Sequence, residues 1–201
     1  MSRVTNKDAA DVLFNVATIL ELAEDNPYRV RAYRRAARLL LRSRDDVRLK
    51  LSPEGELDLP GLGPRLRRKL GELLSNGSMR FYVELCADLP GDAATLMSIP
   101  GVGPKTALRL NEELGLADAA DVYAAAQQGK IRQLYGFGRK SERLLLAGAE
   151  EVLSGRPKVY APIPFLAVDE LPHDLDTEGP RLRMLPPLPL TEQQLTLPEA
   201  A

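Results

Sequence analysis

Three copies of one short pattern limit what this chain can fold into. They are Leu59-Pro60-Gly61-Leu62-Gly63-Pro64-Arg65, Ile99-Pro100-Gly101-Val102-Gly103-Pro104-Lys105 and a looser Leu134-Tyr135-Gly136-Phe137-Gly138-Arg139-Lys140. Each sets an apolar residue before Gly-apolar-Gly, then a cation, then a helical pattern running to Leu70, Leu110 or Leu145. Glycine reaches positive φ at no steric cost, so both glycines of each copy are expected to help reverse the chain. With no Cβ there, backbone N–H groups can approach an anion closely, at the positive end of the helix that follows. The apolar residue between the glycines is expected to pin the turn to its own core. Arg65, Lys105 and Lys140 then fall where a bound phosphate would sit. A single copy reads equally well as an ordinary Pro/Gly turn between helices. Recurrence of the apolar residue and the cation at the same offsets favours a repeated anion-binding unit.

The segments between these turns carry helix signals. Thr5 and Asp8 form a capping box ahead of Val12, Leu13, Val16, Ile19 and Leu20. Asn26-Pro27 ends that helix and opens a second one through Tyr33, Ala36, Ala37, Leu40 and Leu41. The helix after the first turn stops at Asn76-Gly77, and a short helix is expected from Ser78 through Leu85. Further helices are expected to end at Met97 and Leu114, to cover Ala117 to Gln127, and to end near Leu153. Beyond Gly155, nine prolines break any helix or central strand. The expected fold class is all-α: tandem helix-hairpin-helix subdomains over 1–89 and 90–154, then a Pro-rich, largely irregular tail over 155–201.

The formal net charge of −1 hides a strong local asymmetry. Between Tyr28 and Lys69 lie thirteen cations, including Arg29, Arg34, Arg65 and Arg68, against five acids. A local basic surface, not the average, is what neutralises phosphates. With the repeated turns, it points to a protein that holds the DNA backbone without reading sequence.

Other chemistry is poorly supported. His173 is the single histidine and has no cysteine partner, which argues against zinc. Cys86 is the single cysteine; it excludes an internal disulfide, fits a reducing cytoplasm, and lies on an apolar face expected to bury it. No apolar run is long enough to span a membrane, and Met1-Ser2-Arg3-Val4-Thr5 opens no signal peptide.

Residues from about Asn6 to Val152 resemble the N-terminal part of bacterial family X, polymerase beta-like DNA polymerases. The resemblance rests on Asp25-Asn26-Pro27-Tyr28-Arg29-Val30-Arg31-Ala32-Tyr33-Arg34, the first two hairpins, and Tyr135-Gly136-Phe137-Gly138. It implies a lyase-type domain that binds DNA ends, followed by a fingers-like domain that grips the duplex. It also implies phosphate contacts at Gly61, Gly63, Gly101, Gly103, Gly136 and Gly138, with a monovalent cation (Na+ or K+) on the hairpin carbonyls and no other cofactor. The DNA expected is gapped, nicked or 5′-phosphate-ended, and the setting DNA repair, in particular base excision repair. Family members continue into a palm domain with metal-binding carboxylates. The tail here offers only Asp174-Leu175-Asp176 among Pro, Gly and His, so polymerase activity is not expected.

Lys69 occupies the position at which lyase-competent members carry a Schiff-base lysine. Attack of its neutral amine on the aldehyde of a 5′-deoxyribose phosphate would begin the reaction. Arg65 lies one turn earlier and would lower the lysine's pKa by like charge. By the same resemblance, Arg29 and Arg65 would hold the 5′-phosphate, Tyr33 would line the pocket, and Tyr28 would stack on the DNA end. The competing reading makes Lys69 one more phosphate-contacting cation on a basic helix. A branched-DNA scaffold, like other tandem-hairpin proteins, is a third reading. Finally, Gln194-Leu195-Thr196-Leu197-Pro198 looks like the short Gln-Leu-x-Leu motif that binds the bacterial sliding clamp, through Gln194, Leu195 and Leu197. A tail rich in Leu, Pro and Gln also produces such a string by chance.

Overall fold

The structure is a computed structural model and describes residues 4–156. Its helices are α1 (Asn6–Leu22), α2 (Pro27–Arg42), α3 (Pro64–Asn76), α4 (Arg80–Ala87), α5 (Ala93–Leu96), α6 (Pro104–Leu114), α7 (Ala119–Gln127) and α8 (Arg139–Leu153). Two short 3-10 turns, Val47–Lys50 and Ile131–Gln133, join them. Among the described residues there is no strand, only an isolated bridge between Leu51 and Leu57.

Helix ends follow local chemistry. The Thr5 hydroxyl accepts from Asp8 N–H at 3.2 Å, while the Asp8 carboxylate accepts from Thr5 N–H at 2.8 Å. Asn26 caps α2 by accepting from Tyr28 N–H at 2.9 Å, with Pro27 at the first helical position, where a missing N–H costs nothing. Gly77 and Gly115 end α3 and α6 in the left-handed region, at φ 76° and 64°.

The core is built on α1, whose Ala9, Val12, Leu13, Val16, Ile19 and Leu20 are buried. It packs against α2, α3, α4 and α6, so the first helix touches elements from both halves of the described chain. Helices α7 and α8 pair with each other. Two helical glycines allow close seams. A Cβ on Gly71 of α3 would lie on the Gly55 carbonyl oxygen, and one on Gly148 of α8 on the Pro100 carbonyl oxygen. Each seam anchors a helix beside a hairpin or the loop leading to one.

Three expectations are corrected. Leu41 is 52% exposed, because Leu40 takes the core position and the next residue lies about 100° further round the helix. Helix α4 starts at Arg80 rather than Ser78, since Met79 is extended and buried. Helix α7 starts at Ala119, where Asp118 accepts from both Ala120 and Asp121 N–H.

Candidate nucleic-acid interface

The three repeats fold alike. Leu62, Val102 and Phe137 N–H donate to the carbonyls of Leu59, Ile99 and Leu134 at 3.3, 3.0 and 3.0 Å. The third turn residue in each is Gly61, Gly101 or Gly136, at φ 89°, 85° and 82°, as a type II turn requires. The second glycines behave differently from expectation. Gly63, Gly103 and Gly138 have φ −73°, −104° and −113° and serve as N-caps of α3, α6 and α8. Their value is an absent side chain, not a left-handed backbone. No side chain caps these helices, and a Cβ on Gly63 or Gly138 would meet nothing within 4 Å. The first and third hairpins therefore leave a helix N-terminus open, where an anion is favoured. At the second, the Asn15 Oδ1 lies 3.5 Å from where a Cβ on Gly103 would sit. Pro64 and Pro104 offer no N–H of their own. Leu62 and Val102 are buried and Phe137 partly buried, which holds the turns to the body.

The cations beside the hairpins differ in their partners. Arg65 and Lys140 are exposed. Lys105 is ion-paired with Glu21 at 3.3 Å, and the same carboxylate accepts from Arg34 at 2.8 Å. Those two cations hold the Glu21 carboxyl below its usual range, Arg34 contributing more. Arg68 lies 3.9 Å from Glu56, and Arg29 pairs with Asp25 at 2.7 Å. The Lys105–Glu21 and Arg68–Glu56 pairs are exposed and therefore weak, whereas Asp25 is largely buried beneath Arg29. Tyr28 is 76% exposed at the start of α2, with the Arg31 guanidinium 5.2 Å from its ring centre. At the third hairpin, the Arg109 guanidinium lies 4.9 Å from the Phe137 ring centre.

Lys69, Tyr33 and Arg29 come together as expected, with one residue the sequence did not single out. The Lys69 Nζ donates to the Tyr33 hydroxyl at 3.2 Å and lies 3.1 Å from the centre of the Phe81 ring. The Tyr33 and Phe81 rings stack, 6.0 Å apart and 13° from parallel. Burial lowers the Lys69 pKa to about 8, with Arg29 second in effect. Arg65, expected to be the cause, is the weakest of the named contributors. Burial pushes the Tyr33 phenol up to about 12, so at neutral pH it is a hydrogen-bond partner and not a base. Phe81 had no sequence signal beyond its place in an apolar helix, because only the fold carries α4 to the face of α3 that bears Lys69. Gln194, Leu195 and Leu197, with Asp174 and Asp176, lie outside the described residues. Among the described residues no group of three or more His, Cys, Asp or Glu could hold a metal ion, and no helix is long and apolar enough to cross a membrane. Cys86 is buried.

Two family models match the chain: a helix-hairpin-helix domain over residues 4–79 and a SAM-like helix-hairpin-helix tandem over residues 93–151. The chain is 33% identical over 145 residues to the DNA polymerase/3′-5′ exonuclease PolX of Bacillus subtilis. That alignment covers 72% of this chain and 25% of the relative. It is also similar to the Holliday junction branch migration complex subunit RuvA of Leptothrix cholodnii (33% identical) and of Acidovorax sp. strain JS42 (42%). Each of these matches spans 90 residues, 44% of this chain and 47% of the relative. The chain thus spans a quarter to about half the length of these relatives.

Proposed function

From a chain whose body is a polymerase X-like tandem helix-hairpin-helix region, we propose a DNA-backbone-binding protein that acts on gapped, nicked or 5′-phosphate-ended DNA in repair. The observation that carries this reading is the threefold type II turn, each ending in an uncapped helix N-terminus with a cation beside it. Phosphate contacts of this kind position a protein on DNA and carry no base information. The similarity to PolX and RuvA proteins supports the same partner. Na+ or K+ on the hairpin carbonyls, a cytoplasmic location at the nucleoid, and clamp capture by Gln194-Leu195-Thr196-Leu197 belong to this reading. The test is affinity for gapped, nicked, intact and four-way DNA over a salt series. Preference for gaps, with log-linear loss in salt, is expected. Preference for four-way DNA would instead favour a branched-DNA scaffold. Deleting the last ten residues should abolish clamp pull-down and leave DNA affinity intact; retained pull-down would end that part of the proposal.

A second reading rests on the Lys69 pocket. A lysine whose pKa is near 8 has a substantial neutral fraction close to physiological pH, unlike an ordinary lysine. Its amine would add to the C1′ aldehyde of a 5′-deoxyribose phosphate, and loss of water would give an imine. Removal of a C2′ proton then breaks the C3′–O bond and releases the downstream strand, and hydrolysis frees the lysine. Borohydride trapping on a nicked duplex bearing that group tests it, with Lys69→Ala alongside. An adduct that vanishes in the variant makes the protein a lyase. Tight gap binding with no adduct leaves a binding module.

A further inference from the structure

We propose that the outer face of α2, together with the turn of the first hairpin, is a second phosphodiester track. It takes the stretch of DNA backbone that runs on from the one at the first hairpin's amides. The inference rests on the DNA-binding reading above and adds a site to it.

Helix α2 carries six arginines and no acid. Val30, Tyr33, Ala36, Ala37 and Leu40 form its buried stripe. Arg31, Arg35, Arg38 and Arg42, spaced four, three and four apart, form a second stripe on the opposite side, and all four are exposed. Like charges at these spacings repel and weaken a helix, and of the four only Arg31 has a ring contact among the described residues, with Tyr28. Elsewhere basic residues are commonly answered by acids: Arg29 by Asp25, Arg34 by Glu21, Arg67 by Asp58, Arg80 by Glu84, Arg109 by Glu113. No described acid forms an ion pair with the four stripe arginines.

The stripe borders a built groove. Arg35, Arg38 and Arg42 line a depression of about 360 Å³ with Leu39, Pro60 and Gly61. A Cβ on Gly61 would meet the Leu39 side chain at 3.9 Å, so glycine keeps the groove wall bare. The groove therefore runs from the arginine stripe to the turn that leads into the α3 N-terminus. Eleven residues at 1.5 Å rise carry the stripe about 16 Å, roughly five phosphate steps of one strand at 3.4 Å each. Guanidinium groups match phosphate oxygens two at a time. An acidic peptide would answer the charge equally well. What favours DNA is the even spacing of four arginines over that length, which a phosphodiester strand meets with one charge per step, on a chain similar to DNA-processing proteins. Lys69 bonds Tyr33 on the buried stripe, so the track and the lysine pocket lie on different sides of α2 and need not compete.

The test measures DNA affinity of the full chain over a salt series for wild type and for Arg35→Gln/Arg38→Gln/Arg42→Gln. Glutamine keeps the helix propensity, and unchanged thermal melting verifies the fold. A charge-matched control carries Lys7→Gln/Lys130→Gln/Arg156→Gln, all exposed sites outside the basic stretch. The stripe variant should lose at least about tenfold in affinity, and its log–log salt slope should become shallower by about 2 to 3, at roughly 0.9 per phosphate lost. The control should stay near wild type. Equal losses in both variants, or no loss in the stripe variant, overturn the proposal. So does a stripe variant that binds DNA normally but no longer captures a polyglutamate peptide that wild type captures. A wild type that fails to bind DNA at all would instead defeat the underlying reading.

Discussion

The Lys69 ammonium sits 3.1 Å from the centre of the Phe81 ring, against the π face. The ring attracts the cation, by about 0.5–2 kcal/mol depending on solvent access, while burial and Arg29 oppose it. Two substitutions separate these effects in opposite directions. Phe81→Leu keeps an apolar side chain and removes the π face, so the Lys69 pKa falls further below about 8. Phe81→Ala admits water and moves it back toward 10.5. An NMR titration of the lysine reads both, and equal values in all three proteins would show that Phe81 does not set the environment.

Lys69 also links stability to pH. Its folded pKa of about 8 lies below the usual 10.5, so across that window the unfolded chain holds a proton that the folded chain has released. Stability from this group therefore rises with pH between the two values, and the cost of the buried ammonium is fully present below 8. Lys69→Met should melt a few degrees higher than wild type at neutral pH, and the gap should close in alkaline buffer. A gap that does not change with pH would mean that the ammonium is fully solvated.

The two glycines of a hairpin should fail differently. Gly61→Ala forces a side chain into φ 89° and should cost about 1–2 kcal/mol of stability. Gly63→Ser keeps a favourable extended φ and supplies a preferred N-cap, so melting should hold or rise slightly. Its hydroxyl occupies the helix N-terminus, and DNA affinity should fall several-fold. Chemical denaturation and binding on the same proteins would expose any mixing of the two roles.

Glu21 restrains two basic side chains at once. Glu21→Gln removes the carboxylate that holds Arg34 and Lys105, freeing both for phosphate. Affinity for DNA should increase a few-fold, most at low salt. A decrease would assign Glu21 to setting the cations in place for binding.

The seam glycines should be intolerant. Gly71→Ala and Gly148→Ala would each drive a Cβ into a backbone carbonyl, of Gly55 and Pro100 respectively. Each should cost on the order of 2–3 kcal/mol, and the helices should keep their lengths while packing loosens. Thermal melts with circular dichroism at constant helix content would test this; wild-type stability would mean that the loops yield freely.

Much of the fold was legible because its signals are local. The Thr5–Asp8 box, Asn26-Pro27, Asn76-Gly77 and Leu114-Gly115 mark helix ends through chemistry within a turn of the chain. The turn glycines were legible as a pair but not as individuals. Sequence alone does not say which of Gly61 and Gly63 takes positive φ, since that depends on how the Leu59-to-Leu62 hydrogen bond closes. Lys69, Tyr33 and Arg29 were found together, but the cause of the lysine's depressed pKa was misassigned to Arg65. Like charge one turn away is visible in a sequence; burial beneath Phe81 is not.

By itself the sequence determined the helical architecture, the three turns and the basic surface, all of which depend on residues near one another along the chain. Tertiary structure decided which cations are already paired with acids and which along α2 have no described acid partner, because ion pairs such as Lys105–Glu21 join residues 84 apart. It also decided that Lys69 is half-buried against two stacked rings. Burial and charge pairing belong to packing in three dimensions, and no local pattern encodes them.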